Sequence, residues 1–319
     1  MLTISARGLY CPAGDFLIDP MRATATDTAL ISHAHSDHAR GGAGRYVAAA
    51  RGVGPLRARL PRAVIDGVDW GVKRRFGAVW VSFHPSNHCL GSAQIRMELG
   101  DQVWVYSGDY KRQPDATQPL GFEVVSCDTF ITETTFGLPV YAWEDPVLVA
   151  EEIIAWRDAA PDRPSVLACY ALGKAQRILG LLRDLTDRPA YLAPELLAMT
   201  QVYRREGLPL LETRSLSEAS AAELRGALVL AAPGQAQLAG LRPQVGFASG
   251  WMLGRRQRAQ RGGQGFVLSD HADWNDLCRT VAQTGARRVL TTHGFAAEFA
   301  RYLSAIGLEA QPLETGLRS

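Results

Sequence analysis

The segment His33–His38 limits what this chain can fold into more than any other feature of its sequence. It reads His-Ala-His-Ser-Asp-His, so three histidines and one aspartate lie within six residues. The apolar run Ala29–Ser32 comes directly before it and predicts a strand that ends at this turn. Imidazole and carboxylate groups are ligands for Zn²⁺, Mn²⁺ or Fe²⁺. On such a turn the first two histidines can point one way and the Asp-His pair another, so the spacing predicts two neighbouring metal ions.

Three more residues of ligand type each open a loop at the end of a candidate strand. Such loops are where functional sites are usually built. Each of the three, taken alone, is typical of an ordinary loop, but together with the first cluster they favour a single site. They are His88, Asp109 and His293, and they follow the candidate strands Val79–Phe83, Val103–Ser107 and Arg288–Thr292.

The hydrophobic pattern changes along the chain and predicts an inserted lobe. Residues 1–145 show short strands separated by Gly and Pro turns, whereas strands alternate with helical patterns over 146–262. We expect 263–319 to return to the first lobe and complete it. The predicted helices are Pro146–Asp158, Gly173–Leu185, Pro194–Glu206, Ser217–Leu224, Trp274–Gln283 and Ala296–Ile306. The other predicted strands are Phe16–Ile18, Ala93–Leu99, Thr129–Thr132, Ser165–Tyr170, Ala227–Ala232 and Gly265–Ser269.

Composition excludes several classes of protein. The chain has 319 residues, of which 47% are hydrophobic and 21% charged, so it is neither disordered nor collagen-like. Its five cysteines are widely spaced without a Cys-x-x-Cys pair, which argues against a disulfide framework and a thiolate zinc knuckle. No apolar run reaches the ~18 residues of a membrane span, and the N-terminus lacks the apolar region of a signal peptide. We therefore expect a cytoplasmic protein without a membrane partner.

The histidine motifs resemble those of the metallo-beta-lactamase superfamily. The His-x-His-x-Asp-His cluster is followed by a lone His, a Gly-Asp pair and a late His-Gly pair, as in that superfamily. "ITETTFG" with Glu133, "LSDHADW" with His271 and "TTHGF" with His293 resemble motifs A, B and C of its beta-CASP nuclease branch. The resemblance implies an α/β fold, a metallo-beta-lactamase αββα sandwich with an inserted parallel α/β beta-CASP lobe.

Further stretches narrow the resemblance. "ACYALGKAQRIL" and "GFASGWM" resemble parts of the inserted lobe in that branch. The style of "FHPSNHCLGSAQ" is most similar to bacterial DNA-ligase-associated exonucleases, which are also described as mRNA 3′-end-processing-like factors. The resemblance implies two divalent ions, zinc or alternatively manganese. One ion would take His33, His35 and His88, the other would take Asp37, His38 and His293, and Asp109 would bridge the two.

The resemblance also implies roles around the ions. His271 would act as a general acid, with Glu133 accepting its other N–H, and these two with Asp37 would form the catalytic set. Asp270 and Asp273 are alternative partners for His271, and a helix-capping role is the alternative function. Asp19, in "FLIDP", would support a ligand from behind; the alternative is a turn aspartate before proline. His84 is not implied as a ligand, and we expect a structural or substrate-edge role.

Candidate contacts to nucleic acid lie mainly in the inserted lobe. An arginine-rich run suits a phosphate backbone, a tryptophan can stack a base, and Ser-Gly can offer donors to phosphate. The alternatives are a solvated helix face, a core tryptophan and a lysine that points outward from a helix start. The candidates are Ser249, Gly250, Trp251, Arg255, Arg256, Arg258 and Lys174, with Arg177 a weaker one.

The resemblance implies a two-metal phosphodiesterase that hydrolyses nucleic acid. Its most similar group implies a DNA exonuclease in DNA repair, with functional links to a DNA ligase and a helicase. An RNA-processing nuclease of the same branch is the alternative, because a histidine at motif C accompanies RNA substrates in eukaryotic relatives. A small-molecule ester or thioester hydrolase is disfavoured, since a small substrate needs no second lobe. An inactive binding subunit is disfavoured because every ligand position is filled.

Overall fold

A computed structural model describes residues 1–235, 238, 240–254 and 263–313. The chain divides into two compact units, and unit 2 interrupts unit 1. Unit 1 comprises Met1–Gln113, Leu120–Ala142 and His271–Ser319, and unit 2 comprises Pro114–Pro119 and Trp143–Asp270.

The first sheet of unit 1 is mixed and has the order β1-β2-β3-β4-β5-β6. Its first three strands pair antiparallel, and β3 to β6 pair parallel. The helix α1 (Val53–Arg59) packs against β6, outside this sheet. The strands are β1 (Thr3–Ser5), β2 (Gly8–Cys11), β3 (Phe16–Ile18), β4 (Thr28–Leu30), β5 (Arg45–Ala49) and β6 (Ile65–Val68).

The second sheet of unit 1 combines strands that come before unit 2 in the chain with strands that come after it. Its order is β19-β18-β11-β10-β9-β8-β7, so the C-terminal strands β18 and β19 extend a sheet begun by earlier strands. Pairing is parallel from β10 to β19 and antiparallel from β7 to β10. The strands are β7 (Arg74–Phe76), β8 (Val79–Pro85), β9 (Ala93–Leu99), β10 (Gln102–Tyr106), β11 (Thr129–Glu133), β18 (Arg288–Thr292) and β19 (Glu309–Pro312).

Successive side chains of a strand point to opposite faces of its sheet. The two sheets therefore pack face to face, each burying one apolar face against the other. In β11, Ile131 joins a core that both sheets line, whereas Phe130 joins a core on the far side of the second sheet. That far side is covered by α5 (Trp274–Thr284) and α6 (Ala296–Ala305). Unit 1 is therefore a sandwich of two sheets with helices outside, which confirms the predicted fold class.

Unit 2 is a parallel α/β unit around its own core. The order of its sheet is β14-β13-β15-β12-β16-β17, and all pairs are parallel. The helices in its described residues are α2 (Pro146–Asp158), α3 (Lys174–Leu182) and α4 (Pro194–Arg205). Its strands are β12 (Ser165–Ala168), β13 (Ala190–Leu192), β14 (Thr213–Ser215), β15 (Leu228–Ala231), β16 (Gln244–Ala248) and β17 (Gln264–Phe266).

Two expectations about unit 2 differ from the structure. The return segment was expected from residue 263, but β17 pairs with β16 and so lies in the sheet of unit 2. The helix predicted at Ser217–Leu224 is wrong: the segment holds a short 3₁₀ turn, Leu216–Glu218, and then irregular turns. The Glu223 carboxylate accepts hydrogen bonds from both the backbone N–H and the hydroxyl of Ser220, a local ring that competes with helical bonding. Within the described ranges, no helix is long and apolar enough to cross a membrane.

Candidate metal centre

The predicted ligands of unit 1 converge although they come from four separate loops. The segment after β4 carries His33, His35, Asp37 and His38, while the loops after β8, β10 and β18 carry the other three. Because these strands end at the same edge of the sandwich, residues far apart in sequence become neighbours. The loop residues that join the first cluster are His88, Asp109 and His293.

Three imidazole rings form the first group of potential ligands. The His35 Nδ1 lies 3.0 Å from His33 Nε2 and 3.0 Å from His88 Nε2. With a carboxylate oxygen of Asp109, their ligand atoms all lie within 4.8 Å of one another. Burial, with the neighbouring histidines His38 and His88, holds the pKa of His33 well below its ordinary value. The His33 ring is therefore neutral, the form that binds a metal.

The Asp109 carboxylate faces two groups of ligands with different oxygens. Its Oδ2 lies 3.5 Å from His33 Nε2 and 3.6 Å from His88 Nε2. Its Oδ1 lies 3.6 Å from His38 Nε2. With one carboxylate oxygen towards each group, Asp109 could contribute a ligand atom to each of two ions.

The second group is centred on His38. Its Nε2 lies 3.7 Å from Asp37 Oδ2, and its ring stacks on His293 with centroids 5.5 Å apart. This nitrogen is buried and has no hydrogen-bond partner in the described part of the chain. A buried nitrogen without a partner is costly in a metal-free protein, so the donor set fits a divalent cation. Burial lowers the pKa of His38, but Asp109 and Asp19 outweigh it and raise the pKa to about 10.

Asp19 orients two of the rings from behind. Its carboxylate accepts hydrogen bonds from the Ser32 backbone N–H at 2.8 Å, from Ser32 Oγ at 2.5 Å and from His38 Nδ1 at 2.7 Å. The Ser32 hydroxyl donates its only proton to Asp19, so it acts as the acceptor towards His33 Nδ1, 3.0 Å away. Both rings therefore direct Nε2 towards the ligand cluster, and support of a ligand by Asp19 stays a prediction.

A glycine lets the Asp109 loop approach Ser32. Gly108 has φ +54°, in the left-handed region that favours glycine. A Cβ at this position would lie 2.7 Å from Ser32 Cβ and 2.9 Å from Ser32 Oγ. The close approach of these two backbones therefore depends on the absence of a side chain.

Asn87 and Lys111 join two ligand-bearing loops, and the sequence analysis did not single them out. Asn87 Nδ2 donates to the Lys111 carbonyl at 3.1 Å, and Lys111 Nζ donates to the Asn87 carbonyl at 2.5 Å. Lys111 Nζ also lies 3.3 Å from the His88 carbonyl. These reciprocal bonds fix His88 relative to Asp109. One signal for Lys111 was present in the sequence: lysine is rare in this chain, with three lysines among 34 basic residues, so each lysine merited attention.

His271 lies beside the cluster and is held by Glu133. The His271 Nδ1 is 2.9 Å and 3.0 Å from the two Glu133 carboxylate oxygens, and its ring centroid is 4.8 Å from that of His88. Burial raises the pKa of Glu133, but His271 outweighs it, so the net pKa is lowered. A charged Glu133 accepts the Nδ1 proton and fixes the ring. Of the alternative partners, Asp273 caps α5 by accepting from the Asp276 N–H.

His84 stands outside the ligand cluster. Its Nε2 is 2.9 Å from Ser82 Oγ, and its Nδ1 is 2.9 Å from Glu123 Oε1. Both ring nitrogens are thus engaged by side chains of unit 1 that are not metal ligands. These contacts place His84 among structural side chains, and the expected structural or substrate-edge role stays a prediction.

The candidate nucleic-acid contacts of unit 2 have mixed placements. Lys174 is buried, with Nζ 3.0 Å from the Asp270 carboxylate, so it does not point outward as a surface contact would. Ser249 Oγ accepts from the Trp251 N–H and begins the 3₁₀ turn Gly250–Leu253, with Trp251 half-buried. Three predicted contacts lie outside the described residues: Arg255, Arg256 and Arg258.

The chain is similar in sequence to several named proteins and similar in structure to a crystallised protein. No family model matches the chain. A probable DNA ligase of Opitutus terrae is 34% identical over 98% of this chain, and the aligned part is 32% of that protein. The endoribonuclease ysh1 of Emericella nidulans is 25% identical over 38% of this chain and 14% of its own length. The chain thus spans about a third of the ligase it matches and less of ysh1.

The fold is shared with a crystallised protein of unknown function from Enterococcus faecalis. The two superpose with a TM-score of 0.61 over 86% of this chain and 76% of that one. Their sequence identity is 14%, so this likeness concerns the fold alone.

Proposed function

Because this chain belongs to the beta-CASP nuclease branch of the metallo-beta-lactamase superfamily, we propose that it is a two-metal phosphodiesterase that hydrolyses nucleic acid. The observation that carries the proposal is the placement of Asp109. One of its oxygens faces His33 and His88, and the other faces His38, whose buried Nε2 has no hydrogen-bond partner among the described residues.

We assign two groups of ligands to two divalent ions. Bound there, the ions would lower the pKa of a shared water and hold the phosphate of the substrate. The donors are all nitrogen or oxygen, which admits zinc and manganese alike, and zinc is the first choice. The first group is His33, His35 and His88, the second is Asp37, His38 and His293, and Asp109 belongs to both.

His271 is the proposed general acid. Because Glu133 engages its Nδ1, the ring presents Nε2 as the nitrogen that delivers a proton to the leaving oxygen. The Glu133 carboxylate also accepts hydrogen bonds from the Tyr110 backbone N–H at 2.9 Å and the Thr135 hydroxyl at 2.5 Å, so its own position is fixed. These contacts hold the imidazole of His271 in one orientation.

We further propose that the substrate is DNA, cleaved as by an exonuclease in repair. The support is the match of almost the whole chain to a protein named as a DNA ligase, since cleavage of DNA ends and ligation are consecutive steps. The same match supports our proposal of a functional association with a DNA ligase, and the helicase link stays a prediction. RNA is the second candidate, because ysh1 is named an endoribonuclease.

A nuclease assay tests these proposals. Matched DNA and RNA strands, each labelled at either end, are incubated with the protein and Zn²⁺ or Mn²⁺. Asp37→Ala serves as the blank, and Asp101→Ala, an exposed hairpin aspartate, is the matched control. Stepwise loss of DNA by the wild type and Asp101→Ala alone supports the proposal. Cleavage of RNA alone would assign the protein to RNA processing, and equal activity of Asp37→Ala would refute the two-metal site.

Contacts to the substrate can be tested through the arginine run. Replacement of its three predicted contacts by glutamine should weaken DNA binding and reduce the slope of log affinity against log salt by about 2–3, since each phosphate contact contributes roughly 0.7–0.9. An unchanged slope would show a run that does not touch DNA. The triple variant changes Arg255, Arg256 and Arg258.

A further inference from the structure

Two basic side chains on one face of α3 are buried in unit 2. Lys174 is the first residue of the helix and Arg177 lies three positions later, so both belong to its first turn. They are 2% and 1% exposed. Lysine and arginine are almost never buried to this extent unless they are paired.

Both cations contact the last three residues of unit 2. Lys174 Nζ lies 3.0 Å from Asp270 Oδ2 and donates to the Leu268 carbonyl at 2.5 Å. Arg177 Nη1 lies 3.3 Å from Asp270 Oδ1 and donates to the Ser269 carbonyl. Asp270 is only 6% exposed. Each carboxylate oxygen thus has its own cation, and the two preceding carbonyls are held as well.

Two buried cations in the first turn lower the stability of helix α3 itself. The N-terminus of a helix carries partial positive charge, which disfavours cations there, and the first turn of α3 has no acidic residue. Buried ion pairs also lose hydration and are often no more stable than apolar side chains of similar size. A need for stability alone does not account for two such pairs on one carboxylate.

What the pairs hold is the residue before His271. Asp270 is the last residue of unit 2, and His271 is the first residue of the return to unit 1. Consecutive Cα atoms are fixed about 3.8 Å apart, so the position of Asp270 sets where the His271 backbone begins. The ring of His271 is held separately, by Glu133.

We propose that Lys174 and Arg177 are positioning residues for His271, which they place by anchoring Asp270. This inference rests on the proposed function, in which His271 protonates the leaving oxygen. It replaces the expectation that Lys174 contacts nucleic acid. A general acid must lie within about 2.6–3.2 Å of the atom it protonates, and a misplacement of about 1 Å costs on the order of 10²-fold in rate.

The test compares two substrates that differ in their leaving group. A DNA strand leaves as an alkoxide that needs a proton, whereas bis(p-nitrophenyl) phosphate releases a stable nitrophenolate that needs none. The variants are Lys174→Met, Arg177→Met and Asp270→Asn, with Arg183→Gln as the control because Arg183 is exposed and pairs with Asp184 on the surface. If a methionine variant does not fold, Asp270→Asn keeps the shape and carries the test.

The expected result is a kcat on DNA that falls about 10–100-fold, while the rate on the nitrophenyl ester falls less than about 3-fold and the bound metal per chain is unchanged. His271→Ala should show the same pattern, and its double variant with Asp270→Asn should lose no more than His271→Ala alone. Equal losses on both substrates, or full activity on DNA, would overturn the inference. A wild type that cleaves neither substrate would instead refute the proposed function on which it rests.

Discussion

Substitution of Gly108 by alanine should destabilise the metal centre through one contact. The new Cβ would lie 2.7 Å from Ser32 Cβ, closer than real Cβ contacts, and 3.2 Å from the Ala93 carbonyl oxygen. Ser32 cannot retreat freely, because its N–H and hydroxyl both bind Asp19 and its hydroxyl accepts from His33. The strain is therefore transmitted to the residue that orients the ligand rings.

Gly100 provides a matched control of nearly equal backbone conformation. Its φ is +57°, against +54° for Gly108, but a Cβ at Gly100 would meet nothing within 4 Å. Alanine at φ > 0 costs about 1–2 kcal/mol at either position. Overpacking adds about 1–3 kcal/mol at Gly108 only. The entropy change in the unfolded chain is the same for both substitutions and cancels.

The free energy of unfolding of both variants is measured with urea in EDTA. In a separate sample, the folded metal-free variants are incubated with zinc, and the zinc bound per chain is measured. We expect Gly108→Ala to lower the free energy of unfolding about 1–3 kcal/mol more than Gly100→Ala does, and to bind less zinc per chain. Equal losses of stability and full zinc content in both variants would refute the argument from close packing at Ser32.

Three further predictions concern the same site. Lys111→Met should weaken metal binding about 10–100-fold, measured by calorimetry, because it removes the hydrogen bonds that hold the His88 loop. The control Lys73→Met, which removes an exposed ion pair with Glu98, should leave the affinity unchanged. Equal affinities of the two variants would contradict a positioning role for Lys111. Asp109→Asn should abolish hydrolysis and lower the bound metal from two ions per chain, whereas retention of both ions would exclude a bridging role. The pKa of His38 is raised from 6.5 to about 10, so protonated His38 stabilises the folded, metal-free protein. This stabilisation is complete below pH 6.5 and is lost as the pH rises to about 10. Urea unfolding in EDTA at pH 6 and pH 9 should show this loss in the wild type and a smaller one in His38→Gln, and equal losses would contradict it.

The sequence predicted the elements with strong patterns and clear ends. The helix Pro146–Asp158 and the strands Ala93–Leu99 and Arg288–Thr292 have the predicted bounds, because an Asp-Pro start or a Gly turn marks their ends. Some strands of three or four residues, such as β13 and β14, gave no readable period and were missed, although the three-residue strand Phe16–Ile18 was predicted. Short strands depend on pairing with neighbours, which sequence pattern does not report.

The candidate site shows the same division. Residue types and spacing indicated the ligands, because metal chemistry restricts them to a few side chains. The partner of His271 stayed open among three carboxylates, since Glu133 lies 138 positions away along the chain and only the fold brings it near. The burial of Lys174 was also inaccessible to sequence, because a charged residue at a helix start ordinarily faces solvent.

The pairing of β11 with β18 has a consequence for synthesis on the ribosome. Thr129 pairs with Arg288, so the partner strand emerges about 160 residues after β11. At about 5–20 residues per second, this interval lasts roughly ten to thirty seconds. Throughout it, β11 is an open sheet edge, and the core around Phe130 lacks the helices α5 and α6 that cover it; such open edges recruit other chains. We therefore expect fast overproduction to favour aggregation of the nascent chain before the second sheet closes.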